Sequence, residues 1–352
     1  EQYKTYILNN KKQILIDCCY LNSPGGIRIL IDILDKLQAN NSDDLFVILI
    51  DYRSKNLKKT FNKITFEIIS NDEYSRTLFY KKNKQSFYNI LCLSNVPPPI
   101  KLKANVYIYF HNNILLSTKN LDLNLKTRLI FYLKKKYILR INNKRYKWIV
   151  QNDLMKNNLS DKFKISKEKI KVYPVFENLK NNNHNKSNSF IYPTTTSKHK
   201  NNLRLLKAFI QSANQIPNLS FNLKITISNT PETEKVMLNA PKNLTIDFLG
   251  SLSREDAIEE ISKSKFLIYP SLTESFGLPL IEGSQLGCYV ICSDLPYVHE
   301  IIRPSLTFDP YSVHNISKLI NQSLQDKNLI FTEMKIESAT QLILNEITNV
   351  QE

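Results

Sequence analysis

The sequence predicts an α/β protein built from two doubly wound, Rossmann-like domains in tandem, and three observations carry that prediction. In each half of the 352-residue chain, short apolar runs alternate with amphipathic stretches, the pattern of a mainly parallel sheet covered by helices. The length suits two domains, at about 100–200 residues apiece. The charge is also lopsided. Residues 1–175 carry 32 basic side chains against 14 acidic ones, a net of +18, whereas residues 176–352 carry 16 against 18, a net of −2. Two domains with different external partners account for that shift. Hydrophobic residues make up 42% and charged ones 23%, which supplies real cores and excludes disorder as the main state.

The elements follow in order. Strands are expected at 14–21, 46–51, 65–70, 89–94, 106–111 and 148–151, then at 190–193, 223–228, 244–249, 266–270 and 289–293. Helices are clearest at 27–38, 126–146, 202–214, 254–263 and 278–286. Between the halves, 177–189 reads ENLKNNNHNKSNS, an Asn-rich linker without apolar period. The domains are therefore 1–176 and 190–335, joined by the linker 177–189, with 336–352 a terminal helical segment. Such sheets place ligands at the carboxyl ends of their strands, here with a shared cleft facing both domains.

No apolar run approaches the roughly 18–20 residues that span a bilayer, and 1–10 lack the charge-then-apolar pattern of a leader. The five cysteines, two of them adjacent (Cys18, Cys19) and none in a CxxC pair, exclude a disulfide scaffold and a zinc cluster and suit a reducing cytoplasm.

Glycine is scarce: six residues, where an average composition of about 7% gives roughly 25. They mark positive φ or close approach of backbone to a ligand. Gly25 and Gly26 stand in SPGG, where a strand ends and a helix begins, a geometry that turns N–H groups and a helix dipole toward an anion. It also serves an ordinary βα turn, and it is neither a GxGxxG fingerprint nor a P-loop. The later segment YPSLTESFGLPLIEGSQLG ends a strand at Pro270, carries Glu274 in a polar loop and enters a helix at Gly277. Pro279 suits the first helical turn, and Glu282 lies about one turn in. Carboxylates beside an anion site match sugar hydroxyls flanking phosphates; alone, they read equally as a helix-terminus charge and a solvated loop residue.

The whole string, Glu274-x7-Glu282 within PSLTESFGLPLIEGSQLGCYVICSD, resembles the retaining GT-B glycosyltransferases of family 4. SPGG at 23–26, YIYFHN at 107–112, VQNDLMKNNL at 150–159, KIKVYPVF at 169–176, FIYPTTTSKHKNNLRLLKAF at 190–209 and DFLGSLSREDAIEEISKSKFLIYPS at 247–271 agree in order and spacing. The resemblance implies a bacterial surface-polysaccharide enzyme with a GT-B fold, using UDP- or GDP-sugar as substrate and no cofactor. Glu282 would hold the ribose hydroxyls. Glu274 would bind the transferred sugar, helped by backbone N–H groups of Ser275, Phe276, Gly277 and Leu278. Lys200 would neutralise the diphosphate, with Gly25 and Gly26 approaching it from the other domain. Backbone near Gly250 and Leu252 would edge the base. The family often places Gly-Arg after the first strand of the second domain; here the loop reads PTTTSK, so Lys198 is the candidate second cation and a solvated loop lysine is the alternative. His111, ending a β-rich run, would position the donor sugar or the acceptor hydroxyl. The terminal helix would cross back to the first domain. No Asp-x-Asp occurs and no carboxylate cluster replaces it, so no metal is expected.

The basic half has its own feature. From Lys126 through Lys134, Lys135, Lys136 and Arg140 to Trp148, cations interleave with aromatic and aliphatic residues, and 78–88 form a second such patch. This reads as a surface for anionic headgroups or as core helices with solvated lysines. With the resemblance, the partner is a glycan or lipid-diphosphate-linked glycan at the inner face of the plasma membrane. The rivals are a basic nucleic-acid-binding protein, which shows no zinc, RRM or KH pattern and leaves the glutamates unused, and a sugar-binding protein without catalysis. No nucleic-acid partner is expected.

Overall fold

The computed structural model describes residues 13–40, 45–116, 124–181 and 186–349. Residues 1–10 and the middle of the Asn-rich stretch, 182–185, lie outside the described residues. The chain divides into two compact units: one holds residues up to 177 together with those from 338 onward, and the other holds 178–337.

In the first unit, β1 (Gln13–Asp17), β2 (Phe46–Asp51), β3 (Thr65–Ile69), β4 (Phe87–Cys92), β5 (Asn105–Tyr109), β6 (Lys147–Val150) and β7 (Ile170–Val172) form one parallel sheet. Their order is β3-β2-β1-β4-β5-β6-β7. Helices α1 (Pro24–Ala39), α2 (Leu57–Thr60), α3 (Glu73–Lys82), α4 (Leu125–Ile141) and α5 (Asp153–Phe163) alternate with them. Side chains alternate across the sheet, so Ile14 and Ile16 join the core under α1 while Leu15 joins the core on the opposite face. Both faces are covered, as a parallel sheet requires.

The second unit repeats the scheme. Strands β8 (Ser187–Tyr192), β9 (Phe221–Ile225), β10 (Leu244–Phe248), β11 (Ser264–Tyr269), β12 (Tyr289–Ser293) and, after the short β13 (Ile302–Arg303), β14 (Leu306–Phe308) form a parallel sheet in the order β10-β9-β8-β11-β12-β14. β13 pairs antiparallel with β15 (Glu333–Met334). Helices α6 (Asn202–Gln215), α7 (Pro231–Met237), α8 (Arg254–Lys263), α9 (Leu278–Gln285), α10 (Pro296–His299) and α11 (Val313–Gln325) complete it. Stacked Phe190 and Phe266, with ring centroids 4.7 Å apart, anchor its core.

The last helix, α12 (Thr340–Thr348), is part of the first unit. Its Ile343, Leu344 and Ile347 enter the α1-side core, Asn89 Nδ2 donates to the Ile347 carbonyl at 2.6 Å, and Thr340 donates to the buried Asp32. In each sheet the order reverses between the first and fourth strands, β1/β4 and β8/β11, and the crevice at their carboxyl ends is where such sheets bind ligands.

Two sequence expectations change. The basic helix ends at Ile141 rather than at 146, because the side chains of Asn142 and Asn143 turn to backbone N–H groups of Asn143 and Arg145 in place of the helix ladder. In the patch at 78–88 the chain leaves α3 for β4, and its rings and cations part: Phe79, Tyr80 and Phe87 are buried, whereas Lys81, Lys82 and Lys84 are exposed.

Candidate active site

In the second unit, the carboxyl ends of β8 and β11 are locked together. The turn at Lys198–Lys200 accepts the Leu272 N–H on the His199 carbonyl at 2.8 Å. Asn201, at φ 63°, donates through Nδ2 to the carbonyls of Pro270 (3.2 Å) and Pro310 (2.8 Å). That scaffold brings two of the expected residues into contact. Lys200 Nζ donates to Glu274 Oε1 at 2.7 Å and to the Tyr269 hydroxyl at 3.2 Å, and Ser271 Oγ donates to the same Glu274 oxygen at 2.6 Å. Both charged side chains are 14% exposed, so the pair is shielded from bulk water yet reachable. An ammonium has three donors, and two are used here; one remains for an anion.

Helix α9 starts at Gly277, whose φ of +81° suits glycine and which has no side chain of its own to cap the first N–H groups. Pro279 occupies the first turn, where its missing N–H costs nothing. Gly283 serves packing instead: a Cβ there would lie 2.7 Å from Leu267 Cδ1, so it lets α9 sit close on β11. Glu282 is buried and accepts from Arg254 Nη1 at 2.5 Å. Arg254 opens α8, which Ser253 caps. The sequence reading missed this arginine; its one signal was a position at the head of a helix that leads into β11. Gly250 turns the chain after β10 at φ +68°, where a Cβ would lie 3.7 Å from Ser228 Oγ; Leu252 is half-buried, and Lys198 is exposed on the same turn as Lys200.

The first unit gathers a different set at the β1/β4 crest. Ser23 caps α1 by accepting the Gly26 N–H at 3.2 Å. Gly25 and Gly26 are helical rather than at positive φ; a Cβ on Gly26 would meet Leu21 at 2.6 Å, whereas Gly25 faces open space. A side chain would thus have room at Gly25, whereas packing against Leu21 accounts for Gly26. His111 follows β5 and lines a cavity of about 630 Å³ whose walls lie wholly in this unit. Its N–H donates to Asn95 Oδ1 at 2.6 Å, and its Nε2 lies 3.0 Å from the Leu93 carbonyl. Nε2 also lies 3.2 Å from Asn95 Nδ2, so this nitrogen sits between one acceptor and one donor.

Burial lowers the His111 pKa to about 4, with the Leu93 carbonyl opposing it. Unfolded, the ring titrates near 6.5. The unfolded chain therefore binds the proton first, and the stability that the neutral ring contributes above about pH 6.5 is lost as pH falls through about 4. The loss amounts to at most about 3 kcal/mol. Replacing His111 by Asn is expected to flatten that acid limb in denaturant unfolding between pH 6.5 and 4.5; an unchanged limb shows that the ring titrates normally.

The stretch 176–341 matches the family model described as Glycosyl transferases group 1. Curated relatives include the O-antigen chain mannosyltransferase B of Escherichia coli, 38% identical over 82 residues, 23% of this chain and 22% of that one. The O-antigen chain mannosyltransferase RfbU of Salmonella typhimurium is 25% identical over 175 residues, 47% of this chain and 48% of that one. The matched part thus spans half the length or less of the curated relatives. Among solved structures, a glycosyltransferase from Rickettsia africae aligns with a TM-score of 0.62 at 18% identity, over 89% of this chain and 88% of that one. WaaG, a glycosyltransferase involved in lipopolysaccharide biosynthesis, aligns at 0.61 and 12% identity, over 89% and 90%. These likenesses are of fold, and the fold is GT-B: two Rossmann-like units, each with a parallel sheet.

Outside residues 176–341, α4 departs from an ordinary surface helix. Ile138 is its one fully buried residue. At about 3.6 residues per turn, Leu125, Leu129, Tyr132, Leu133 and Leu139 share one outward face with Lys126, Arg128, Lys136 and Arg140. Leu125 is 84% exposed and Leu129 56%. Lys134, Lys135, Lys136 and Arg140 do not form one face. Lys134 lines the cavity, Lys135 leans over the Phe163 ring, and of these four only Lys136 and Arg140 belong to the outward side. Among the described residues no helix is long and apolar enough to cross a membrane.

Proposed function

We propose that the chain is a retaining, metal-independent hexosyltransferase that moves a sugar from a nucleotide-sugar to a surface polysaccharide or lipid-diphosphate-linked glycan. The observation that carries this reading is the Lys200–Glu274 pair beside the start of α9, with Glu282 buried in that helix, inside the stretch that matches the family. Glu282 takes ribose hydroxyls and Glu274 the hydroxyls of the transferred sugar. The remaining N–H of Lys200 and the N-terminus of α9 meet the diphosphate. The acceptor hydroxyl forms its bond to the anomeric carbon on the face from which the phosphate oxygen departs, and that oxygen takes the proton. The protein contributes positioning and stabilisation of the leaving charge. Both curated relatives are mannosyltransferases, which puts a mannose nucleotide first among the donors.

Hydrolysis of a panel of UDP-, GDP- and dTDP-sugars tests the reading, and one donor is expected to turn over well above the rest. Turnover should persist in excess EDTA, since no Asp-x-Asp is present to hold a divalent ion. Loss of activity that Mg²⁺ or Mn²⁺ restores would overturn metal independence.

The outward face of α4 supports a second reading, that the first unit rests on an anionic membrane at the cytoplasmic side. Exposed leucines interleaved with cations suit an in-plane helix whose apolar side chains enter the headgroup boundary while lysine and arginine reach the phosphates.

A further inference from the structure

Arg254 is not explained by the helix it opens. Helix α8 starts with it, just after Ser253, whose Oγ accepts the Asp256 N–H at 3.1 Å and donates to the Asp256 carboxylate at 2.7 Å. The first turn of a helix carries partial positive charge and favours acidic side chains, which Glu255 and Asp256 supply; a cation there works against the dipole. The arginine is instead directed at the neighbouring helix, where its Nη1 donates to Glu282 Oε1 at 2.5 Å. Packing does not ask for that glutamate either. Helix α9 reads LPLIEGSQ, and Leu280, Ile281 and Gly283 around Glu282 are buried. The Glu282 side chain is 9% exposed, against 28% for Arg254. Taking a carboxylate out of water is costly, and an apolar residue of similar volume is often as stable as a buried ion pair, so stability alone does not call for this one.

Resting on the assignment of Glu282 to the ribose in the glycosyltransferase reading above, we infer that Arg254 is a positioning residue for the donor, which holds the Glu282 carboxylate in the orientation that accepts the ribose hydroxyls. A carboxylate has about four lone-pair sites. The arginine takes one of them on Oε1, and that bond fixes where the others point. A guanidinium suits the task because its N–H groups form a rigid fork and it is more weakly hydrated than an ammonium, so it can sit beside a buried carboxylate and set its plane. The arginine acts through the carboxylate, and its effect on binding is therefore confined to ligands that carry ribose hydroxyls.

The test compares, by calorimetry on the full chain, UDP and GDP with their 2′,3′-dideoxy forms. In the unaltered chain the nucleotide that binds is expected to lose about tenfold or more in affinity when both hydroxyls are removed. Arg254→Met keeps the packing of the stem and removes the charge and the fork. In that variant the ribose form is expected to weaken about tenfold while the dideoxy form stays within about twofold, so that the two bind nearly alike. Arg254→Lys, which returns the charge without the fork, is expected to recover part of the difference. Retained dideoxy binding also reports that the variants are folded. A merely structural arginine would lower the melting temperature and leave the ribose preference as it was, which overturns the inference. Equal weakening of both forms, the sign of an arginine that touches base or phosphate directly, overturns it as well. Tighter binding of the ribose form by Arg254→Met would make the arginine a competitor of the sugar, with the same consequence. Should Arg254→Met not fold, an undiminished ribose preference in Arg254→Lys is the overturning result. Binding of neither nucleotide by the unaltered chain would overturn the glycosyltransferase reading itself, whereas an unchanged preference in the variants overturns only the role of Arg254.

Discussion

Glu282→Ala is expected to weaken nucleoside diphosphate binding by about 10- to 100-fold, since a hydrogen bond to a charged acceptor is worth about 1.5–3 kcal/mol and two ribose hydroxyls compete for the carboxylate. In this structure the carboxylate is buried and held by Arg254 at 2.5 Å, so it is already oriented before a ligand arrives. Removing it also takes a charged partner from the Arg254 guanidinium, and a modest loss of stability should accompany the loss of affinity. Glu282→Gln separates the two effects, because the amide keeps one acceptor for Arg254 and drops the charge. Glu274 provides the contrast. Glu274→Gln is expected to leave nucleoside diphosphate affinity within a few-fold and to abolish most transfer, since its carboxylate is assigned to the sugar. Calorimetry with UDP and GDP, on variants shown to be folded by thermal melting, reads both. Undiminished affinity in Glu282→Ala would remove the residue from the nucleotide site.

The contrast between those two glutamates shows what a single sequence makes legible. Glu274, Gly277 and Glu282 lie within nine positions, so a local pattern carries them, and the structure puts the helix start at Gly277. Strands at 46–51 and 289–293 and the helix at 254–263 are likewise local, being clean apolar or amphipathic runs with caps. The partners of the glutamates are another matter. Lys200 is 74 positions from Glu274, and only resemblance joined them. Arg254, 28 positions from Glu282, had no pattern at all. Helix α3 went unread because EYSRTLFYKK looks like a basic-aromatic surface. Its Tyr80 is buried by a hydroxyl bond to Asp17, 63 positions away, and no window reveals such a contact. β7 and β14, with three residues each, are too short to show a period.

The full chain is expected to co-sediment with anionic vesicles, through two separable contributions from α4. Lys136 and Arg140 lie on the outward face, and each cation near an anionic surface contributes about 1 kcal/mol, fading as salt shortens the Debye length. Changing both to Gln should therefore cut binding about 30-fold at low salt and much less at high salt. Leu129 and Leu133, 56% and 55% exposed, form the apolar part. At roughly 25 cal/mol per Å² of apolar surface buried, two leucines contribute about 3 kcal/mol when inserted, and that part resists salt. Leu129→Ser with Leu133→Ser should then weaken binding about a hundredfold at both salt concentrations. Lys134 and Lys135, turned to the cavity and to Phe163, should matter little, so the run of three lysines does not titrate as a block. Nucleoside diphosphate affinity serves as the folding control, because the glutamates lie in the other unit. Equal binding to neutral and anionic vesicles would refute the electrostatic part. An exposed leucine face that instead pairs two copies of the chain would appear as a dimer in sedimentation, broken by the two leucine changes, with no vesicle binding at any salt.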